Sequence, residues 1–150
     1  MGYYGESKAD MAKKKDNSIV VVFRKKVRMG FDAAGVVSSV LTAEGAAGAA
    51  VNIVFVDNAF IRRLNLEYRG KNYATDVISF GNGNGGDVFI SVEKAAEQAD
   101  AYGATFDEEA KRLIIHGTLH VLGYDHIKAA DGKIMVPKEK KYFKLNDGAK

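Results

Sequence analysis

Two short apolar runs stand out first. Ser18-Ile19-Val20-Val21-Val22-Phe23 and Val51-Asn52-Ile53-Val54-Phe55-Val56 are rich in β-branched and aromatic residues and have the length of buried strands. A helical rhythm follows each: Ala33 to Leu41, ending near Gly45, and a second stretch with Phe60, Ile61, Leu64 and Tyr68 at helical spacing behind a cap at Asp57 or Asn58. Strand then helix, twice over, predicts a βαβ component. Beyond Gly70 the pattern changes to two short strands, Thr75 to Phe80 and Asp87 to Ser91, separated by Gly81-Asn82-Gly83-Asn84-Gly85-Gly86. Glycine and asparagine reach positive φ at little cost, so this loop reads as a hairpin connection; with no helix directly behind it, a phosphate-cradling role is the weaker reading. Val92 to Tyr102 is a helix closed by Gly103, and Thr105-Phe106-Asp107-Glu108 is a capping box that opens the next.

The 150 residues carry no repeat or linker, and a 47% apolar composition suits one core. The prediction is a single α+β domain over 1–150, with basic ends at 1–17 and 146–150 expected to be flexible. The chain has no cysteine, which excludes a disulfide framework and any thiolate zinc site, so a metal would have to rest on His, Asp or Glu. Residues 1–18 have no apolar stretch of the kind a secretory signal needs, and the apolar runs are too short to span a bilayer, so a cytoplasmic protein is expected. The net charge of +3 is uneven: eight Lys/Arg against three acids in residues 1–30, seven against three in 127–150, and seven against eleven in 57–126. Basic ends suit contact with a polyanion such as RNA, and equally suit ordinary solubilising tails.

The chemistry concentrates in one place. All three histidines lie in the eleven residues His116-Gly117-Thr118-Leu119-His120-Val121-Leu122-Gly123-Tyr124-Asp125-His126. On a helix starting at Thr105, His116 and His120 share a face one turn apart, the spacing from which two imidazoles reach one ion. Gly123 permits a sharp turn that brings His126 back as a third ligand. Ile114, Ile115, Leu119, Val121 and Leu122 project mainly to the other side, so the core and the site use different faces. The pattern H-x-x-x-H-x-x-G-x-x-H keeps the ligand spacing and glycine of metzincin proteases, but the glutamate that serves those enzymes as general base is replaced by Gly117.

With these residues in view, His116 to His126 resembles the signature of the YbeY family, bacterial single-strand-specific endoribonucleases of rRNA maturation. The likeness extends upstream through Leu64-Asn65, Glu67-Tyr68-Arg69-Gly70-Lys71, Thr75-Asp76-Val77-Ile78-Ser79-Phe80 and Gly86-Asp87-Val88, covering about residues 51–126. The resemblance implies a mixed four-stranded sheet with helices, related to zincin-like hydrolases. It puts the metal ligands at His116, His120 and His126 and the active-site arginine at Arg69, with one Zn2+ per chain as cofactor. Single-stranded RNA, most naturally rRNA, and the small ribosomal subunit with its assembly factors would be the partners, in rRNA maturation and ribosome quality control. The chain departs from the family pattern where Phe80 is followed by Gly81 and a Gly/Asn run instead of Pro and an acidic loop. That departure bears on one cleft wall and touches none of the metal ligands.

Arg69 on its own reads as a solvated arginine beside Arg62 and Arg63, or as a phosphate partner. Asp76 and Asp87 read as strand-end caps or turn formers, Asp125 as an acceptor that orients a ligand imidazole, and Tyr124 as a packing residue. Three neutral imidazoles leave an ion's charge uncompensated, which suits hydrolysis of a phosphodiester near neutral pH. The rival readings are a zinc peptidase or amidohydrolase, which the missing glutamate opposes, and a non-catalytic ribosome-assembly factor that binds RNA around a structural zinc.

Overall fold

A computed structural model describes residues 18–124 and 129–147. Four strands, β1 (Ile19–Phe23), β2 (Ala50–Val56), β3 (Val77–Gly81) and β4 (Gly85–Ser91), form a mixed sheet in the order β1-β2-β4-β3. β1, β2 and β4 are parallel, and β3 closes one edge as the antiparallel partner of β4, with Ile78 opposite Phe89. The helices are α1 (Ala33–Ala43), α2 (Asn58–Arg69), α3 (Val92–Tyr102), α4 (Phe106–Val121) and α5 (Ala129–Leu145). The expected α+β fold with a mixed four-stranded sheet is the one observed.

Alternation along the central strands divides the core. Val51, Ile53 and Phe55 of β2, with Val88 and Ile90 of β4, face α1, α4 and α5, where Val37, Val40, Ile114, Leu119, Met135 and Tyr142 are buried. Val54, Val56, Ile78 and Phe89 face the opposite way and are covered by Ile61 and Leu64 of α2. Helices therefore lie on both faces of the sheet, and the near-continuous apolar reading of β2 follows from its burial on both sides.

Local signals fix the helix starts. The Asp57 carboxylate accepts the Phe60 N–H at 2.8 Å, and Ser91 caps α3 in the same way through Lys94 N–H at 3.1 Å. Thr105 and Glu108 form the predicted reciprocal capping box of α4. The hairpin is tighter than its composition suggested: β3 runs on to Gly81 and β4 starts at Gly85, so pairing absorbs glycines assigned to the loop.

α5 has no clear counterpart in the sequence pattern. It contains Pro137, which cannot donate to the preceding turn, and its apolar residues alternate between buried (Met135, Tyr142) and exposed (Ile134, Val136, Leu145) without a clean stripe. Tertiary packing holds it instead. Asn146, the first residue of the expected basic end, is buried and donates to Ser39 Oγ at 2.9 Å, while Lys111 Nζ donates to its carbonyl at 2.9 Å. Residues 1–17 and 148–150 lie outside the described residues.

Candidate active site

α4 supplies the histidines and its helical geometry sets their relation. Ile114, Ile115, Leu119 and Val121 are buried in the core, whereas His116 and His120 are half-buried with ring centroids 5.6 Å apart. Both open into a cleft of about 510 Å³ between α4, β3 and the end of α2. Arg69, in the last turn of α2, and Lys71 beyond it line the same cleft, with Asp76 and Ser79 on its strand side and Arg112 one turn before His116. The arginine nominated by the sequence and two of the three histidines thus meet at one cavity.

The third histidine, His126, and Asp125 lie outside the described residues. The turn that leads towards them is present: Gly123 has φ 109° and its N–H donates to the His120 carbonyl at 3.0 Å. Among the described residues no group of three or more His, Asp or Glu side chains converges on one point. The donors that do converge fit a divalent ion by their chemistry. The carboxylate of Glu139, on α5, accepts a close hydrogen bond from Nδ1 of His116. With an ionised carboxylate as acceptor, Nδ1 carries the proton, the side-chain partnership that ligand histidines usually show. Sequence reasoning missed Glu139 because it lies 23 residues beyond its partner, in a helix without a clear pattern.

Position 117 is a point of close approach. A Cβ built on Gly117 would stand 2.4 Å from Val88 Cγ1 and 3.2 Å from Ser79 Oγ. The residue that carries the general base in metzincins is here pressed against β4, where no side chain fits. The hairpin approaches α4 as closely: a Cβ on Gly81 would lie 2.5 Å from Val121 Cα, and Gly83 N–H donates to the Val121 carbonyl at 3.1 Å. Gly81 thus lets the hairpin seat on the end of the histidine helix.

The basic side of the cleft is braced from behind. Arg112 donates from Nε and Nη2 to buried Glu109 at 2.9 and 2.6 Å, and that hydrogen bonding raises its pKa further. Gln98 bridges Glu109 at 2.7 Å and Asp76 at 3.2 Å. Asp76 also accepts the Val77 N–H at 2.8 Å, which makes it the strand-end cap expected of it. Asp87 instead sits within β4 and accepts from Asn52 Nδ2 at 2.8 Å, so it is neither cap nor turn former.

A second cluster ties down the exit of α4. Glu44, at the end of α1, accepts from Tyr124 Oη at 2.6 Å, from Lys138 Nζ at 2.9 Å and from Tyr142 Oη. Burial opposes charge on Glu44, but the three donors together outweigh it and hold its pKa below the usual value. The same contact raises Tyr124, while burial and then Glu44 push Tyr142 up to about 12.

A sequence profile of the family described as Endoribonuclease YbeY matches residues 11–146. The chain belongs to the endoribonuclease YbeY family. The protein named Endoribonuclease YbeY in Carboxydothermus hydrogenoformans is 49% identical over 111 residues, covering 70% of this chain and 77% of the relative. The one from Bacillus licheniformis is 45% identical over 114 residues, covering 65% and 72%. The solution structure of TM1509 from Thermotoga maritima superposes with a TM-score of 0.60 at 28% identity, over 83% of this chain and 86% of that one. YbeY endoribonucleases are metal-dependent nucleases. No helix among the described residues is long and apolar enough to cross a membrane.

Proposed function

We infer that this chain, an endoribonuclease by family, hydrolyses phosphodiester bonds of single-stranded RNA in rRNA maturation and ribosome quality control, in the cytoplasm and in contact with the small ribosomal subunit and its assembly factors. The observation that carries this reading is the meeting of His116, His120 and Arg69 at one cleft that also holds Lys71 and Arg112. One zinc ion would be held by His116 and His120 together with His126. The shared sheet and the helices packed on both its faces support one hydrolase domain for the whole chain.

A zinc ion in such a site supplies Lewis-acid charge and a nucleophile near neutral pH. The chain's own residues do the rest. Arg69, exposed and without an ion-pair partner among the described residues, offers its guanidinium fork to the phosphate and to the charge that grows on it in the transition state. Lys71 adds positive field at the cleft, and Glu109 pairs with Arg112 and keeps its side chain from swinging into the space the phosphate needs. Glu139 holds the His116 ring in one orientation. Gly117 lets helix and sheet approach closely and provides no carboxylate base, which disfavours peptide hydrolysis by the zincin route.

Incubation of zinc-loaded protein with single-stranded and duplex RNA, beside the His116→Ala variant, tests the reading. Cleavage of the single strand alone, lost in the variant, is expected; metal-dependent peptide cleavage without RNA cleavage would refute it.

A further inference from the structure

A second cavity lies along α2 from the histidine cleft. It has a volume of about 510 Å³ and is lined by Arg24, Asp57, Phe60, Arg62, Arg63 and Asn72, among others. It sits at the carboxyl ends of the parallel strands β1 and β2, the edge at which open α/β sheets commonly take ligands. Arg24 opens the basic cluster that follows β1, and its backbone N–H donates to the Phe55 carbonyl at 2.8 Å, which fixes where the side chain departs. The guanidinium carbons of Arg24 and Arg63 lie 5.2 and 5.8 Å from the Phe60 ring centroid, and that ring stacks on Phe89 beneath it at 5.9 Å. Arg62 donates from Nε to Asn72 Oδ1 at 2.8 Å.

These contacts orient three arginines without neutralising them. Among the described residues none of the three forms an ion pair. Asp57 is the one carboxylate lining the cavity, and it is engaged as the cap of α2. Guanidinium groups held by a ring face or an amide oxygen keep further N–H donors for an outside acceptor, and their fork matches phosphate.

The direction of α2 joins this cavity to the cleft. Arg62 and Arg69 are seven residues apart, so they share one stripe of the helix, roughly 10 Å from each other along its axis. Leu66, which is 48% exposed, lies between them on that stripe, and Asn72 adjoins Lys71 of the cleft. An acidic protein segment would meet the same charges but would gain nothing from the route to the histidines.

We propose that the Arg24–Arg62–Arg63 cavity is a second RNA site, which holds a backbone phosphate of the strand whose neighbouring bond is cut in the histidine cleft. The proposal rests on the RNA reading above. It makes the cavity an anchor that sets which stretch of a single strand reaches the metal.

The test is fluorescence anisotropy with a labelled 2′-O-methyl oligouridylate of about a dozen nucleotides, checked for intactness on a gel and titrated at several salt concentrations. Arg24→Gln/Arg63→Gln should bind about tenfold more weakly at low salt, and its slope of log affinity against log salt should be shallower by about 0.7 for each phosphate lost. Arg24→Lys/Arg63→Lys should keep the slope and lose part of the affinity, since charge remains while ring stacking and fork are gone. Unchanged affinity and slope in the Gln variant would overturn the proposal. So would polyglutamate peptide binding as tightly as the oligonucleotide and losing affinity in that variant, which would assign the cavity to an acidic protein. Cleavage of unmodified oligouridylate is followed separately. Wild-type protein that shows the expected binding contrast yet cuts no RNA supports the anchor and removes the nuclease reading.

Discussion

Glu139 of α5 accepts a hydrogen bond from Nδ1 of His116 on α4, and this contact joins the C-terminal helix to the histidine site. Two half-buried side chains from distant parts of the sequence thereby set the orientation of one imidazole.

Replacing that carboxylate should loosen metal binding without emptying the cleft. Glu139→Gln, which keeps the shape and loses the charge, is expected to lower zinc affinity roughly 10- to 100-fold. Competition with a chromophoric chelator measures this. An affinity equal to wild type would show that the contact does not orient a ligand.

Arg69 is exposed in the last turn of α2, so its removal should leave the fold intact. For Arg69→Ala the expected result is unchanged zinc content and melting temperature, with kcat on single-stranded RNA reduced roughly 100- to 1,000-fold, the loss typical of one transition-state donor. If KM rose while kcat held, Arg69 would be a binding residue only.

Gly117→Glu restores the zincin-like sequence but not its chemistry. The new Cβ would meet Val88 Cγ1 at 2.4 Å, and the carboxylate would need a path past β4. Overpacking of this kind costs about 1–3 kcal/mol before any charge is buried. Thermal unfolding should show clear destabilisation, and peptide substrates should stay intact; a stable variant with peptidase activity would contradict the packing seen at this position.

The charge on Glu44 predicts a pH dependence of stability. Its pKa is lowered in the folded state from an ordinary 4.5, so its contribution is present above that value and is lost as pH falls through the lower folded value. Tyr142 works in the other direction: raised from 10.0 to about 12, it contributes below pH 10 and loses that contribution as pH rises towards 12. Urea unfolding from acid to alkaline pH should show both losses. Glu44→Gln should reduce stability at neutral pH and flatten both limbs, and identical profiles for the two proteins would count against the network.

The strands, four of the helices and the positions of His116, His120 and Arg69 were legible because each depends on a short-range rule. The capping box at Thr105 and Glu108, the spacing of the two histidines and the β-branched runs are set within a few residues. Glu139, Arg112 and the Glu44 cluster were not legible. Glu44 meets Tyr142 across 98 residues, and nothing local to either marks them as partners. Gly117 falls between the two cases. Its identity is plain in the sequence, but the reason for it, the side of Val88, is visible only once helix and strand are packed.

The Glu44 cluster joins three elements that are far apart along the chain. Tyr124 follows α4, Lys138 and Tyr142 lie on α5, and all three are held by one carboxylate at the end of α1. That carboxylate therefore ties the last turn after α4 to α5 and to the end of α1, and the entropy of bringing these sequence-distant pieces together is spent during folding. A chain shortened before Lys138 would lose two of the three donors and leave Tyr124 alone to hold Glu44.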